Sequence, residues 1–451
     1  MSDPASPIGL LAVRSPILKV LAIVALALVF LIPLALVRDV IGEREGRRAG
    51  VIKEIGESWG HAQRVFGPIL VIPYREAPTD ADIAMKREPG EGEAQLLPDR
   101  YVIASRVEPE LRRRGLFEAA VYRAKVDVSG DFVIPDPAEW APKGAMIRWD
   151  AARVLLDVRD RRSLSAGAAI RWADGRMLAF TPSRNESGLS APVALGPAAT
   201  RQPLEFALSL ELKGSDMLGF LPLGRDTHVT AISSWPDPSF VGKYLPDART
   251  VSARGFDAAW TVSYFARDYP QLVTSKTGLR GFSSAIEQSE FGFRLMSAVT
   301  AYQQAERAVK YGLLIIVGTF TTFFLFEIIR GLRIHIFQYG LVGLSLCVFY
   351  LLLVSLSEQI GFGLAYLIAS TAVIAQILLY CHGALGGLRG TAILGGLLTA
   401  TYAALYQLML LEDQALLVGS IGLFAALSAI MLVTRGIDWY ALGARAREAQ
   451  G

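Results

Sequence analysis

The segment LKVLAIVALALVFLIPLALV, residues 18–37, carries one charged side chain, Lys19, in twenty positions. A helix of about 20 predominantly apolar residues crosses a bilayer core of about 30 Å. We therefore expect residues 16–37 to span a membrane. Arg14 and Lys19 resemble the charged start of a signal peptide, but the apolar run is longer than such a peptide requires, and no small-x-small cleavage pattern precedes Arg38. The sequence predicts an anchor that is not cleaved.

Five more apolar stretches follow in the last third of the chain, at residues 311–329, 339–356, 360–380, 391–411 and 415–433. Each has about the length needed to cross a bilayer, where a helix satisfies all its backbone hydrogen bonds internally. The predicted fold class is a membrane protein with six transmembrane α-helices, one N-terminal and five C-terminal. A large β-rich periplasmic domain is predicted between the first helix and the second.

The charges of the short loops between the C-terminal helices predict the orientation. Basic residues follow the second, fourth and sixth helices, namely Arg330, Arg333, His335, Arg389, Arg435, Arg445 and Arg447. Acidic residues mark the other two loops, namely Glu358, Glu412 and Asp413. Because Lys and Arg are retained in cytoplasmic loops, both termini are expected in the cytoplasm.

Four arginines just after the first helix oppose this orientation, namely Arg38, Arg44, Arg47 and Arg48. The alternation of the later loops outweighs them, because long domains are translocated largely regardless of charge. The predicted arrangement is a cytoplasmic N-terminus at residues 1–15, a transmembrane helix at 16–37, a periplasmic β-rich domain at 38–307, a five-helix transmembrane bundle at 308–434 and a cytoplasmic tail at 435–451.

Composition argues against a nucleic-acid partner. The 451 residues are 52% hydrophobic and carry a formal net charge of +3, too small an excess to indicate binding to a phosphate backbone. The two cysteines, Cys347 and Cys381, lie in or beside predicted helices, so no disulfide is expected in the periplasmic domain. A domain of this length buries an adequate core without one.

Three segments between the first two helices alternate between apolar and polar residues, as half-buried β-strands do. They are residues 122–128, 204–213 and 256–264. We expect these strands to be neighbours or to face each other in one β-rich core. Phe206, Trp260 and Tyr264 are expected to point inward, and Ser263 outward.

Other local signals complete the prediction for this domain. Asp174 and Gly175 supply the positive φ angles of a tight hairpin in AAIRWADGRMLAF. Residues 40–66 are expected to continue the first helix, and residues 302–310 to lead helically into the second. The polar, Pro- and Gly-rich residues 76–95 predict a mobile loop.

Two short motifs remain ambiguous between a structural and a binding role. WPDPSF, residues 235–240, predicts a rigid loop because proline fixes φ; packing of Trp235 and Phe240 in the core is favoured over a ligand platform. The run Arg112-Arg113-Arg114-Gly115 predicts a solvated turn before a strand, with anion or lipid-headgroup binding as the alternative.

A search for chemistry finds no catalytic or metal-binding pattern. The four histidines, His61, His228, His335 and His382, are far apart in sequence and match no metal-ligand spacing. Neither a phosphate-binding GxxxxGK[ST] loop nor a GxSxG nucleophile motif occurs. The sequence therefore predicts that the protein is not an enzyme and has no catalytic residue, cofactor or metal ligand.

Ionisable and polar residues inside predicted helices are the remaining functional candidates, because such residues are costly in a membrane. Glu327 lies three residues before Arg330, so the two could pair on one helix face, and Glu358 lies at the opposite surface. Gln376 and Gln407 are deeper, and interhelical hydrogen bonds would explain them. Paired glycines favour close helix packing over broken helices at a transport site, namely Gly361, Gly363, Gly386, Gly387, Gly395 and Gly396.

Several stretches are long and unusual enough to indicate a family. They are RSPILKVLAIVALALVFLIPLALVRDVIGER, FGPILVIPY, RRRGLFEAAVYRAKVDVSGDF, SSWPDPSFVGKYLPDARTVSARGFDAAWTVSYFAR, ERAVKYGLL, QYGLVGLSLCVFYLLLVSLSEQIGF and TRGIDWYAL. Through them the chain resembles the CreD family of bacterial inner-membrane cell-envelope integrity proteins over nearly its whole length, least so at residues 76–95. The resemblance implies an inner-membrane location, a role in envelope stress tolerance and control by the CreBC two-component system. It implies no catalytic residues.

The leading hypothesis is a non-enzymatic inner-membrane protein whose periplasmic domain senses, scaffolds or protects the cell envelope. Its expected partners are the lipid bilayer and other envelope proteins or peptidoglycan. The alternative is a transporter or lipid-handling protein whose periplasmic domain receives or delivers cargo. A cavity between the last five helices, lined by Gln376 or Gln407, would favour that alternative. The sequence does not indicate the oligomeric state.

Overall fold

The computed structural model describes residues 16–435 except 79, 86, 165–166, 184–187, 276–278, 296–300, 331–333, 383–386 and 412–414. The chain divides into two compact units. The first, called the bundle unit, comprises Met1–Arg48 and Val299–Gly451, and the second, called the β unit, comprises Ala49–Ala298. Arg14, Arg333, Gly386, Glu412, Asp413, Arg445 and Arg447, which the sequence singled out, lie outside the described residues.

The described α-helices are, in chain order, α1 (Pro16–Val29), α2 (Leu31–Trp59), α3 (Asp80–Met85), α4 (Pro137–Trp140), α5 (Leu279–Glu287), α6 (Ala301–Lys310), α7 (Gly312–Arg330), α8 (Ile336–Ile360), α9 (Phe362–Cys381), α10 (Leu388–Leu410) and α11 (Ala415–Thr434). Helices α1 and α2 are nearly continuous, with a single break in the helical pattern at Phe30. As predicted, residues 302–310 are helical and lead into the next apolar helix.

Within the described part of the chain, five helices are long and apolar enough to cross a membrane. They are Leu18–Trp59, which combines α1 and α2, then Gly312–Ile329, Ile336–Ile360, Phe362–Cys381 and Leu388–Leu410. Helix α11 contributes a shorter apolar segment, Leu417–Leu432. The protein is therefore a membrane protein with a set of apolar helices, one of them N-terminal, and a large β-rich domain, as the sequence predicted in outline.

The prediction that the first helix continues to residue 66 is wrong at its end. Helix α2 stops at Trp59, and Gln63 begins a strand that is buried along almost its whole length. That strand has neighbours on both sides and a core-facing position, which favours extended backbone for its apolar VFGPILVIPY sequence.

The β unit is built from two large sheets. Its strands are β1 (Gln63–Arg75), β2 (Glu91–Leu96), β3 (Arg100–Arg114), β4 (Phe117–Val133), β5 (Met146–Ile147), β6 (Arg153–Val158), β7 (Ala169–Arg171), β8 (Met177–Ala179), β9 (Thr181–Pro182), β10 (Leu189–Pro192), β11 (Pro203–Ser215), β12 (Met217–Phe220), β13 (Asp226–Ser233), β14 (Pro238–Gly242), β15 (Ala248–Ser252), β16 (Gly255–Ser263), β17 (Leu272–Thr274) and β18 (Phe291–Leu295).

One sheet has ten strands and the other has eight. The ten-stranded sheet follows the order β14-β18-β12-β1-β6-β10-β9, with β2 and β5 also paired to β1 and with β17 paired to β2. The eight-stranded sheet follows the order β15-β16-β13-β3-β4-β11-β7-β8. One continuous hydrophobic core includes side chains from both sheets.

The three predicted strands all lie in the eight-stranded sheet, and their predicted phase is confirmed. Strand β11 pairs with β4 over thirteen residue pairs, and β16 lies three strands from β4. Phe206 and Trp260 are buried at 3% and 1% exposure, whereas Ser263 is exposed. Tyr264 departs from the prediction because the strand ends at Ser263, and this tyrosine begins a half-exposed 3-10 turn.

The two predicted loops are partly strands. Within residues 76–95, Asp80–Met85 is helical and Glu91–Leu96 forms β2, which is hydrogen-bonded to β1 on one side and to β17 on the other. Backbone pairing on both sides outweighs the polar composition of this segment. Within WPDPSF, the residues from Pro238 onward pair with β18, and both Trp235 and Phe240 pack against the core.

The predicted hairpin is present between β7 and β8, but its loop differs from the prediction. The amide of Trp172 donates to Arg176 O at 2.9 Å, and Gly175 alone has a positive φ, of 83°. This longer loop needs one left-handed residue and not two, so Asp174 keeps a negative φ. The run Arg112-Arg113-Arg114 ends β3 before a turn at Gly115, which has a φ of 63°.

Candidate functional site in the helical bundle

The first polar cluster of the bundle unit surrounds Glu327 near the end of α7. Lys19 of α1 donates to Glu327 Oε1 and also to the carbonyl oxygen of Ile334 at 2.7 Å. The Tyr339 hydroxyl donates to Glu327 Oε2 at 3.5 Å. The Lys19 and Glu327 side chains are only 15% and 17% exposed. We call Lys19, Glu327 and Tyr339 the Lys19 cluster.

The predicted pairing of Glu327 with Arg330 involves a side chain outside the described atoms, so it stays a prediction. Among the described side chains, the cation that contacts Glu327 is Lys19, which lies 308 residues away in sequence. A partly buried carboxylate in a bundle needs a close cation to offset its desolvation. Helix α1 supplies that cation.

The second cluster surrounds Glu358 near the end of α8 and also involves the first helix. Arg44 Nη1 of α2 lies 3.7 Å from Glu358 Oε2, and the Tyr302 hydroxyl donates to Glu358 Oε1 at 2.9 Å. Burial and, second, the bond to Glu358 raise the pKa of Tyr302 to about 12, so its hydroxyl keeps the donated proton. We call Arg44, Tyr302 and Glu358 the Glu358 cluster.

The two clusters contact the N-terminal helix at well-separated positions, Lys19 near its start and Arg44 fifteen residues before its end at Trp59. Lys19 and Arg44 are 25 residues apart, which corresponds to about 37 Å of helix at about 1.5 Å per residue. That span exceeds a hydrocarbon core of about 30 Å. The ionic groups of the N-terminal helix therefore bind the remaining helices at both ends of the bundle and not in its middle.

A cluster of aromatic side chains from three helices, α8, α9 and α10, packs inside the bundle. Phe349 lies between Tyr350 and Tyr402, with ring centroids 4.9 Å and 4.7 Å away, and Tyr366 is 5.4 Å from Phe349. The Tyr366 hydroxyl donates to the carbonyl oxygen of Tyr402 at 2.6 Å. We call these four residues the tyrosine cluster.

Two hydroxyls of the tyrosine cluster have no hydrogen-bond partner among the described residues. These are the hydroxyls of Tyr350 and Tyr402, both inaccessible to solvent. Buried polar groups normally have a partner in protein or ordered water, so an unpartnered hydroxyl marks a place for a water or a polar ligand group. Sequence reasoning missed this cluster, although Tyr350 and Tyr402, which lie well inside apolar helices, were its available signal.

Within the described part of the bundle, the side chains of the two deep glutamines do not form the predicted interhelical hydrogen bonds. Gln376 and Gln407 are exposed on the bundle surface, and neither side-chain amide forms a hydrogen bond with another described residue. Gln376 lines a groove of about 250 Å³ between α8 and α9, together with Leu344, Val348 and Tyr380. Gln407 lies outside that groove.

The glycines act in two ways. Gly361 and Gly387 have φ angles of 79° and 104° and begin α9 and α10. Gly395 allows close packing, because a Cβ atom there would lie 3.0 Å from Leu378 Cδ1. Gly396, by contrast, faces open space.

Three of the four histidines, His228, His335 and His382, have side-chain contacts that fit a structural role. His335 caps α8, where its Nδ1 accepts from the Phe337 amide at 3.2 Å. His382 and His228 lie 3.1 Å and 3.4 Å from threonine hydroxyls. Among the described residues, no group of three or more His, Cys, Asp or Glu could hold a metal ion.

The fold and the bundle clusters define a class: a multi-pass membrane protein with a large β-rich domain. Within that class, the chain belongs to the CreD family, because the family described as "Inner membrane protein CreD" matches residues 15–440. The inner membrane protein CreD of Escherichia coli (strain K12) is 32% identical over 440 residues, which are 95% of each chain. The protein is therefore an inner-membrane protein, as the sequence motifs indicated.

The similarity to one solved structure is weak. An M1 zinc metallopeptidase from Deinococcus radiodurans matches with a TM-score of 0.19 and 14% sequence identity. The match covers 37% of this chain and 39% of the peptidase chain. A TM-score this low does not indicate a shared fold.

Proposed function

We propose that the protein supports cell-envelope integrity and stress tolerance as a non-enzymatic scaffold or sensor in the bacterial inner membrane. In this proposal six helices cross the membrane, with α11 as the sixth. Residues 38–307 lie in the periplasm, and both termini lie in the cytoplasm. Family membership over residues 15–440 is the observation that carries the proposal.

The bundle contacts support a scaffold role. Glu327 and Glu358, the acidic groups of α7 and α8, each bind a cation of the N-terminal helix. Charges used in this way hold helices together. A transport pathway would instead place an ionisable group near the membrane midplane. The N-terminal helix thus becomes part of the bundle and does more than anchor the chain.

A strain that lacks the protein tests this role. The strain should become sensitive to detergent combined with a metal chelator, and the wild-type protein should restore growth. Lys19→Met should restore growth poorly, because it leaves Glu327 without its cation. The matched control is Arg47→Gln, which removes only an exposed pair with Glu43.

Two outcomes would contradict the proposal. One is equal growth of the Lys19→Met and Arg47→Gln strains under envelope stress at equal protein levels. The other is turnover of a peptidoglycan or lipid substrate by the purified protein, lost on a single substitution.

A second candidate function, a transporter or lipid-handling protein, is favoured by one observation. The groove between α8 and α9 presents the Gln376 amide, a polar group, on an otherwise mostly apolar surface. Lipid bound there would be detected by native mass spectrometry of the purified protein. Gln376→Leu should then reduce the lipid bound, whereas Gln407→Leu, outside the groove, should not.

A further inference from the structure

The eight-stranded sheet of the β unit carries a groove on its outward face. Two adjoining cavities, of about 500 Å³ and 380 Å³, share Val102, Ser129, Arg171 and Ala207 in their walls. These four residues lie side by side on strands β3, β4, β11 and β7, because each is the register partner of the next. We call this concavity the sheet groove. Its size is within the range of ligand sites, about 300–1,000 Å³.

Small side chains form the floor of the sheet groove. Ala104, Ser129 and Ser209 are exposed, and Val102 and Ala207 are half-buried. Alanine is disfavoured in strands, where β-branched and aromatic residues pack better on a pleated surface. On the same face of β3 and β4, beyond the groove, the exposed positions carry long charged side chains such as Arg106, Arg123 and Lys125. The small residues therefore pack less well than larger side chains would, and they leave open space along the strands.

Charges of both signs line this space. The Arg171 side chain is exposed in the groove, and its guanidinium forms no ion pair or hydrogen bond with any other described residue. Asp127 and Glu205, also in the walls, likewise form no ion pair with the rest of the described chain. The groove thus offers one uncompensated cation and two uncompensated carboxylates on rigid strands.

A further acidic group lies at the Glu205 end. Asp131 is the register partner of Glu205, which places two like charges directly opposite each other. Arg100 binds Asp131 at 3.2 Å, but burial raises the pKa of Asp131 despite that contact. The carboxylate of Glu205, which forms no ion pair with the described residues, is therefore the group at this end that suits an ammonium group.

We propose that the sheet groove binds an extended peptide that has a free carboxylate, with Arg171 binding the carboxylate and Glu205, two residues along β11 from the register partner of Arg171, accepting from an amino group. A guanidinium binds a carboxylate in a bidentate geometry, which gives both strength and direction. The small floor residues allow an extended chain to lie close to the sheet.

The same groove fits other polymers poorly. Nucleic acids and anionic lipid headgroups would meet the carboxylates of Asp127 and Glu205. Sugar rings stack on exposed aromatic faces, but the aromatic residues of the wall, Trp172 and Phe206, are buried at 4% and 3% exposure. A peptide carries both charges and needs no aromatic platform.

Two sources could supply such a peptide: stem peptides of the cell wall and the C-terminal segments of proteins. This choice of sources rests on the proposed periplasmic location of the β unit. Binding to the purified protein does not depend on orientation in the membrane. A negative binding result would therefore not contradict the proposed topology. Likewise, a reversed topology would not contradict peptide binding in the sheet groove.

The test uses the full chain in detergent and isothermal titration calorimetry. One probe set is soluble muropeptides released from peptidoglycan by a muramidase. The other is linear alanine-rich tri- to pentapeptides with a free C-terminal carboxylate. Each probe is compared with its C-terminal amide. We expect carboxylate forms of at least one set to bind at least tenfold more tightly than the amides, and the set that binds identifies the source.

Two variants and one control locate the site. Arg171→Gln should weaken binding of the carboxylate form at least tenfold and remove its preference over the amide. Ala207→Phe should abolish binding by filling the floor. Arg106→Gln, exposed on β3 outside the groove, should bind as the wild type does. Circular dichroism of each variant checks the fold. No binding by either set, equal binding of acid and amide, or equal effects of Arg171→Gln and Arg106→Gln would overturn the proposal.

Discussion

Removing the Trp260 side chain should destabilise the β unit more than almost any other single truncation in it. Trp260 is 1% exposed on β16, within the core. Its ring centroid lies 5.8 Å from those of Phe240 and Phe291 and 6.2 Å from that of Phe220. Trp260→Ala deletes all three aromatic contacts and leaves a cavity, because close-packed neighbours relax only in part.

The expected loss is about 3–5 kcal/mol for a buried tryptophan. A typical domain has a free energy of unfolding of about 5–15 kcal/mol, so this loss is a large fraction of it. Trp260→Phe should cost less. It keeps most of the packing and removes an indole N–H that has no partner among the described residues, a donor whose burial unsatisfied costs about 1–3 kcal/mol.

The assay is proteolysis of the full-length protein in detergent, under conditions where cleavage follows the open population of the β unit. Each 1.4 kcal/mol is a factor of about ten, so Trp260→Ala should raise the cleavage rate by about two to three and a half powers of ten. Ser263→Ala, exposed on the same strand, should change stability by no more than about 0.5 kcal/mol. Equal cleavage of the two variants would refute the strand phase and the core built on it.

Two further predictions concern the bundle unit, with the midpoint of thermal aggregation in detergent as the measurement. Lys19→Met should destabilise the bundle by about 3–5 kcal/mol, because it leaves the Glu327 carboxylate without its cation. The double variant, Lys19→Met with Glu327→Gln, should recover much of that loss. Equal midpoints for the single and double variants would contradict this prediction. Gly343→Ala should lower the stability of the bundle by about 1–3 kcal/mol, because the new Cβ would lie 2.3 Å from the ring of Phe30. The control Gly340→Ala places its Cβ more than 4 Å from any other atom and should leave the midpoint unchanged. Unchanged midpoints for both variants would show that Phe30 does not pack against Gly343.

The sequence was sufficient to predict the apolar helices and the phase of the main strands. Helix length follows from apolar run length, and strand phase follows from alternation with a period of two, as Phe206 and Trp260 confirm. The sequence was insufficient to predict strands in which backbone pairing outweighs a polar composition. The polar segment Glu91–Leu96 is a strand because two neighbouring strands form hydrogen bonds with its backbone. Those neighbours cannot be identified from the sequence of the segment itself.

The candidate sites were harder to predict because they depend on contacts between distant residues. Glu327 was recognisable as a costly intramembrane group, but its partner Lys19 could not be identified without the helix packing. The sheet groove was invisible for the same reason. Ala207 and Arg171 are unremarkable in sequence, and only the strand register places them side by side.

The location of the β unit is the central claim, and cysteine labelling tests it most directly. The native cysteines, Cys347 and Cys381, are buried, so a new cysteine at an exposed site reports its own accessibility. Thr250→Cys, on the exposed edge strand β15, should react with a membrane-impermeant maleimide in cells whose outer membrane alone is permeabilised. Arg435→Cys should react only after the inner membrane is broken. Labelling of Arg435→Cys but not of Thr250→Cys in the intact inner membrane would contradict the account.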